Sequence, residues 1–277
     1  MPITAKTYMY CDVFVQVPQT EHEWKLIASD FWIQWQFPNC LGALDGKHVH
    51  IVPPANCGSL YYNYKQFNSI VLLALVDAQY RFLYVDIGSY GRISDGGVYN
   101  SSSLSAAIQS NALHIPPDSL LPHSNISCPY VLVADDAFGL SRQILKPYTC
   151  RNLSQSQRIY NYRLSRSRRV VENAFGIMSS RFRVFGKAIA QDPDKVQTIV
   201  MAACCLHNFL LRNPTSAVQY LPDDCDTQSN LQSVAAVRCN RPSNDALAVR
   251  VDFERYFNSE AGAVSWQTDA INYSKSC

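Results

Sequence analysis

The stretch Tyr130-Val131-Leu132-Val133-Ala134-Asp135-Asp136 decides how this chain is read. A short apolar run ends on two carboxylates, and 36 residues after Asp136 a helical pattern carries Glu172. Between Arg142 and Lys187 there are eleven Lys/Arg and a single acidic residue, Glu172 itself. A strand end that delivers an Asp, with a Glu set among arginines, suits a site that holds a divalent metal against a polyanion. The third ligand has to come from upstream, and Asp45 in Leu41-Gly42-Ala43-Leu44-Asp45-Gly46-Lys47 is the best placed.

The chain's 277 residues suffice for a full core, with 47% hydrophobic and 17% charged residues, which excludes disorder throughout. The net charge is only +2, so the basic excess is local, as on a phosphate-binding face. Ten cysteines are scattered without a CxxC pair, and adjacent Cys204-Cys205 lies in an apolar helical pattern that reads as core. No apolar run approaches the ~18 residues of a spanning helix, and no signal-peptide pattern follows Met1. A reducing intracellular compartment is the expectation, and the N-x-[ST] matches at Asn125, Asn152 and Asn272 read as chance.

Periodicity predicts an arm over 1–20 and an amphipathic helix from Glu21 to Trp35. A strand follows over Cys40–Val52, then a Tyr-rich loop over 55–68 and a hairpin of Ile70–Val76 with Tyr80–Ile87. A turn-rich segment leads into a helix from about Val98 to Gln109. Residues 110–129 read as loop and Val131–Ala134 as the next strand, followed by an irregular stretch. A helix is expected from Tyr160 or Leu164 to Phe182, with Val170, Val171, Ala174, Phe175 and Met178 buried, and another over Pro193–Leu211. The domain plan is an arm (1–20), a core (21–213), a flexible linker (214–245) and a C-terminal helical tail (246–277). Three antiparallel strands, a parallel strand and helices form the ribonuclease H-like α/β arrangement, a mixed five-stranded sheet flanked by helices. It brings Asp45 near Asp135.

Several residues carry two readings. Asp95 serves equally as an N-cap for the following helix or as a site residue, and Asp136 reads as a turn or helix cap. Glu172 can pair with Arg168 or Arg169 one turn away, and the arginine cluster can be a solvated face. His48, His50 and His207 read as hydrogen-bonded structural histidines. Tyr62, Tyr64 and Lys65 stack bases, touch phosphate or simply pack. Paired carboxylates also serve glycoside hydrolysis, but the arginine excess argues against a sugar site.

Six blocks, in order, resemble the transposases of the PIF/Harbinger superfamily and the nuclease-like proteins derived from them. They are Gly42-Ala43-Leu44-Asp45-Gly46-Lys47-His48-Val49, Tyr62-Asn63-Tyr64-Lys65, Gly91-Arg92-Ile93-Ser94-Asp95-Gly96-Gly97-Val98, Ala134-Asp135-Asp136-Ala137-Phe138, the run from Ser165 to Gly176, and Leu206-His207-Asn208-Phe209-Leu210. The resemblance covers roughly Glu21 to Leu211. It implies a DDE endonuclease that hydrolyses DNA phosphodiesters by a two-metal mechanism with Mg²⁺ or Mn²⁺, strand transfer as a further step, and a nuclear site of action, with the cytoplasm as a second. Asp45, Asp135 and Glu172 match the acidic triad, and Asp95 matches a further acidic position. Arg166, Arg168, Arg169, Lys47 and Lys65 are the expected DNA contacts. Gly139 stands where such proteins usually carry proline. They also usually carry a helix-turn-helix upstream of the core, so a separate DNA-binding partner protein and a homodimer are further expectations. The rival expectation is a descendant that binds DNA or a partner protein without cutting.

Overall fold

A computed structural model describes residues 14–222, 231–233 and 242–273. Helix α1 (Glu21–Trp35) opens on a capping box, with the Thr20 side chain accepting from Glu23 N–H, and buries Trp24, Ile27, Ala28 and Phe31. Three antiparallel strands follow: β1 (Cys40–His50), β2 (Ser69–Val76) and β3 (Phe82–Tyr90). Every residue of β2 is buried, which is why its sequence is continuously apolar rather than alternating.

Where one helix was expected after β3 there are two, α2 (Asp95–Ser101) and α3 (Ser103–Gln109). Ser102 is extended between them, and its side chain caps the second by accepting from Ser105 N–H. The stretch expected to be loop holds a two-residue hairpin, β4 (Ser119–Leu120) with β5 (Ser127–Cys128). Then β6 (Val131–Ala134) runs parallel to β1, and β7 (Ile144–Leu145), unannounced in the sequence, runs parallel to β6.

The long helix α4 (Gln155–Arg181) begins earlier than its apolar stripe suggests, because Ser154 and Gln157 form a capping box. A 3₁₀ turn (Arg183–Gly186) joins it to α5 (Pro193–Arg212). Two features lie inside the expected linker: α6 (Pro214–Tyr220), and β8 (Gln232–Ser233), which pairs antiparallel with β1. Residues 223–230 and 234–241 of that span, and 1–13 of the expected arm, lie outside the described residues. The expected tail supplies α7 (Asn244–Phe257) and α8 (Gln267–Tyr273). Phe253 and Phe257 of α7 are fully buried, their rings 5.6 and 5.0 Å from that of Phe37.

The main path of the sheet is β3-β2-β1-β6-β7, with β8 beside the far half of β1. A mixed sheet in this order, flanked by helices, is the ribonuclease H-like α/β fold. Buried Arg163 of α4 locks the helical layer to its surroundings. Its guanidinium donates to Gln36 O, Gly262 O and Gln267 Oε1 and lies over the Phe257 ring. His207 and Asn208 of α5 do the same at β3. His207 is hydrogen-bonded to Tyr220 Oη and Tyr80 O, and Asn208 both donates to and accepts from the Phe82 backbone. His207 is thus a satisfied core histidine. Among the described residues no helix is long and apolar enough to cross a membrane.

Candidate metal centre

Strand β6 stops at Ala134, which pairs with Leu44, so β1 continues past its neighbour just where Asp45 begins. Asp135 leaves the end of β6 beside it. The Asp135 carboxylate caps its own turn, accepting from Ala137 N–H at 2.9 Å, so the capping role expected of Asp136 falls to its neighbour. Asp136 itself is exposed.

The third carboxylate at this point is Asp95. It is the first residue of α2, and the cap is Ser94, whose side chain accepts from Gly97 N–H. The capping reading of Asp95 therefore fails, and its side chain is free to turn inward. It lies against Gly46, where a Cβ would come within 1.8 Å of Asp95 Oδ1. Glycine at 46 makes room for the carboxylate. One ligand atom each from Asp45, Asp95 and Asp135 lies within 4.8 Å of the others.

Glu172 is not in that group of three. It lines a cavity of about 330 Å³ together with Asp45, Asp135, Arg168 and Ser233. Its carboxylate accepts from Arg168 Nη1 at 2.6 Å, the i,i+4 partner expected on α4. Glu172 thus shares the cavity with Asp45 and Asp135, whereas Asp95 approaches the two aspartates from outside its lining.

A buried cation adjoins the acidic cluster. Lys47 Nζ is 2.9 Å from Asp45 Oδ2 and donates to Ser233 Oγ at 2.8 Å. Burial alone would lower its pKa, but Asp45, with a smaller contribution from Glu172, keeps it above the ordinary lysine value. Of the other expected cationic contacts, Lys65 donates to Gln232 Oε1 and Arg169 is exposed. Arg166 packs its guanidinium over the rings of Trp266 and Trp35.

The carboxylates are held in an environment hostile to charge. Burial, then Asp45 and Asp135, push Asp95 up to about 9. Burial and then Asp45 push Asp135 up to about 6, against the opposing effects of the Ala137 N–H and Arg168. Both oxygens of Asp95 are buried with no hydrogen-bond partner among the described residues. Two features were missed in the sequence: Ser233, because a two-residue strand leaves no pattern, and the Lys47–Asp45 pair. The i,i+2 spacing of that pair on a strand was the available clue, since such residues share a face.

Comparison with known proteins adds a separate line. The family profile described as "DDE superfamily endonuclease" matches residues 44–208. The chain is 27% identical over 203 residues to the "Putative nuclease HARBI1" of Rattus norvegicus, covering 72% of this chain and 54% of that one. The Homo sapiens protein of the same name matches to the same extent. "Protein ALP1-like" of Arabidopsis thaliana is 26% identical over 179 residues, 63% of this chain and 43% of that protein. The chain thus spans about half the length of the curated relatives it matches. No solved structure matches it significantly.

Proposed function

Because the chain belongs to the DDE superfamily endonuclease family, we propose that it is a divalent-metal-dependent DNA endonuclease of the Harbinger transposase type. Hydrolysis of phosphodiester bonds at the acidic cavity by a two-metal mechanism is its reaction, with strand transfer as an extension of the same chemistry. The observation that carries the reading is the approach of Asp45, Asp95 and Asp135 to within 4.8 Å at the end of the parallel strand pair. Like charges so close, two of them buried, are unstable without protons or a cation between them.

The residues fit a hard divalent ion. All the donors are carboxylate oxygens, the chemistry Mg²⁺ and Mn²⁺ require, and both Asp95 oxygens lack any hydrogen-bond partner among the described residues. Asp45 and Asp135 would hold it, with Asp95 beside them and Glu172 from the lining of the cavity. A divalent cation there supplies Lewis-acid stabilisation of charge on the attacking and leaving oxygens of the phosphodiester. The protein's own contribution is positional. Asp45 sits on β1 and Asp135 just past the end of β6, its carboxylate held by the Ala137 N–H, whereas Glu172 is steered by Arg168 on a helix. Arg168 also places positive charge beside the cavity, where a phosphate backbone would lie. Action in the nucleus, a separate DNA-binding partner and self-association extend this reading to the whole protein.

The test is nicking of supercoiled plasmid with Mg²⁺ or Mn²⁺ by the natural chain and by Asp135→Ala. The natural chain converts supercoiled to open circular DNA, and the variant loses at least ~100-fold of that rate, the scale of removing a group that stabilises transition-state charge. Equal nicking by both proteins sinks the endonuclease reading.

A second reading, a DNA- or protein-binding descendant that does not cut, draws on Lys47. Its ammonium already neutralises Asp45 and is itself buried. DNA binding that persists without nicking in either metal favours it.

A further inference from the structure

Side chains alternate along β1, so Asp45 and Lys47 share one face while Gly46, His48 and His50 share the other. A second cavity, of about 600 Å³, opens at His48 and His50. Sites for small organic ligands occupy roughly 300–1,000 Å³. Its walls include Phe67 and Phe185, and Lys65 and Lys187 stand among its lining residues. The Phe67 ring is 4.8 Å from that of His50 and 5.8 Å from that of His48. Flat rings beside two lysines suit a ligand with a π-face and negative charge.

His48 adds a directional group. It is only 1% exposed, yet Nε2 has no hydrogen-bond partner among the described residues. Its other nitrogen, Nδ1, is 2.9 Å from Ser69 Oγ, and that oxygen already accepts from Asn63 Nδ2 at 2.9 Å. The hydroxyl proton of Ser69 is therefore best used toward Nδ1, which leaves the imidazole's own proton on Nε2. The ring is neutral, because burial and the nearby Lys65 and Lys47 cations push its pKa down to about 4. His48, a residue of the cavity's lining, thus holds an unused buried donor, a costly state unless an acceptor meets it.

The two cavities are neighbours. Asp45 and His48 lie three residues apart on one strand, ~10 Å along it. The adjacent residues of β8 line one each, Ser233 the acidic cavity and Gln232 the aromatic one. Because these residues alternate in face, the two cavities open on opposite sides of β1, and a strand of nucleic acid whose phosphate sits at the carboxylates reaches the aromatic cavity with a nearby base by passing around β8.

We propose that the cavity at His48, Phe67 and Phe185 is a nucleotide pocket that takes one unpaired base of the bound DNA. The base stacks on Phe67, an acceptor on its edge meets His48 Nε2–H, and the adjoining phosphates lie toward Lys65 and Lys187. This rests on the endonuclease reading for its substrate class but not on cutting. An acidic peptide would use the lysines and leave the rings and His48 without a role.

The test uses the full chain with Ca²⁺ and a gapped duplex bearing 2-aminopurine at its single unpaired position. Binding quenches the probe through stacking, and replacing that nucleotide with an abasic site weakens affinity on the order of ten-fold. Phe67→Ala reproduces the loss, and Lys187→Glu lowers both affinity and its dependence on salt. The abasic arm needs no altered protein, so a misfolded variant does not blur the result. Equal affinity for abasic and base-bearing DNA overturns the pocket, as does displacement of the duplex by an acidic phosphopeptide with no change in 2-aminopurine emission. Quenching without plasmid nicking retains the pocket and removes the nuclease. Nicking with abasic-insensitive binding does the reverse.

Discussion

Asp95 is the residue on which the site's electrostatics turn, since both its oxygens are buried without hydrogen-bond partners among the described residues and its proton is held up to about pH 9. An unfolded aspartate titrates near ~3.9, so the folded chain binds the extra proton over the interval between. Stability from this group is fully present below about pH 4 and is lost as pH rises toward 9. Asp95→Asn removes the need to take up that proton on folding and so raises the Tm of metal-free protein at pH 7.5. Each unit of displaced pKa is worth ~1.4 kcal/mol, which makes the gain a few kcal/mol and ~2–4 °C for each. The same substitution weakens Mn²⁺ binding measured by calorimetry, and unchanged affinity removes Asp95 from the ligand set. Gly46→Ala gives an independent check. A methyl group within 1.8 Å of Asp95 Oδ1 forces the carboxylate out of the cluster, so Mn²⁺ affinity falls at least ~10-fold, the scale of losing support for a metal ligand. In the sequence Asp95 was balanced between cap and site. What settles its position is Ser94, which takes the cap, and Gly46, which leaves space; neither contact is visible from spacing alone.

At the scale of elements, legibility followed pattern length. The helix Glu21–Trp35, the fully buried β2 and the stripe on α4 declared themselves through periodicity over many residues. Strands β4, β5, β7 and β8 each have two residues, so tertiary pairing makes them and no local signal marks them. The C-terminal helix was legible as a helix and illegible as core. It was expected as a helical tail, yet Phe253 and Phe257 of α7 close over Phe37 and, through Phe257, over buried Arg163. Phe253→Ala therefore costs ~3–5 kcal/mol of unfolding free energy, the usual loss for emptying a buried phenylalanine site. Urea denaturation reads it as a lower midpoint with an unchanged slope. A loss under ~1 kcal/mol would mean that α7 is a loosely docked tail after all.

The whole molecule couples a folded scaffold to a cluster of carboxylates that resist ionisation. The sheet brings Asp45 and Asp135 together from 90 residues apart in sequence, as expected from strand order, and the first residue of α2 adds Asp95. Without a cation these groups make the folded chain less stable as pH rises through about 6 for Asp135 and about 9 for Asp95. A divalent ion reverses that trend, because it binds the deprotonated carboxylates and is absent from the unfolded chain. Metal-free Tm therefore falls between pH 5 and 8, while the Tm increment produced by Mn²⁺ grows over the same range. At a free concentration ~100 times the dissociation constant the increment corresponds to ~2.7 kcal/mol. Thermal melts with EDTA and with Mn²⁺ across that range check both slopes in one experiment. An increment that is flat with pH, or that survives in Asp135→Ala, places the ion elsewhere on the protein. If both slopes have the stated sign, the folded chain stores in its metal-free site part of the instability that cation binding relieves, and stability and metal affinity draw on the same three side chains.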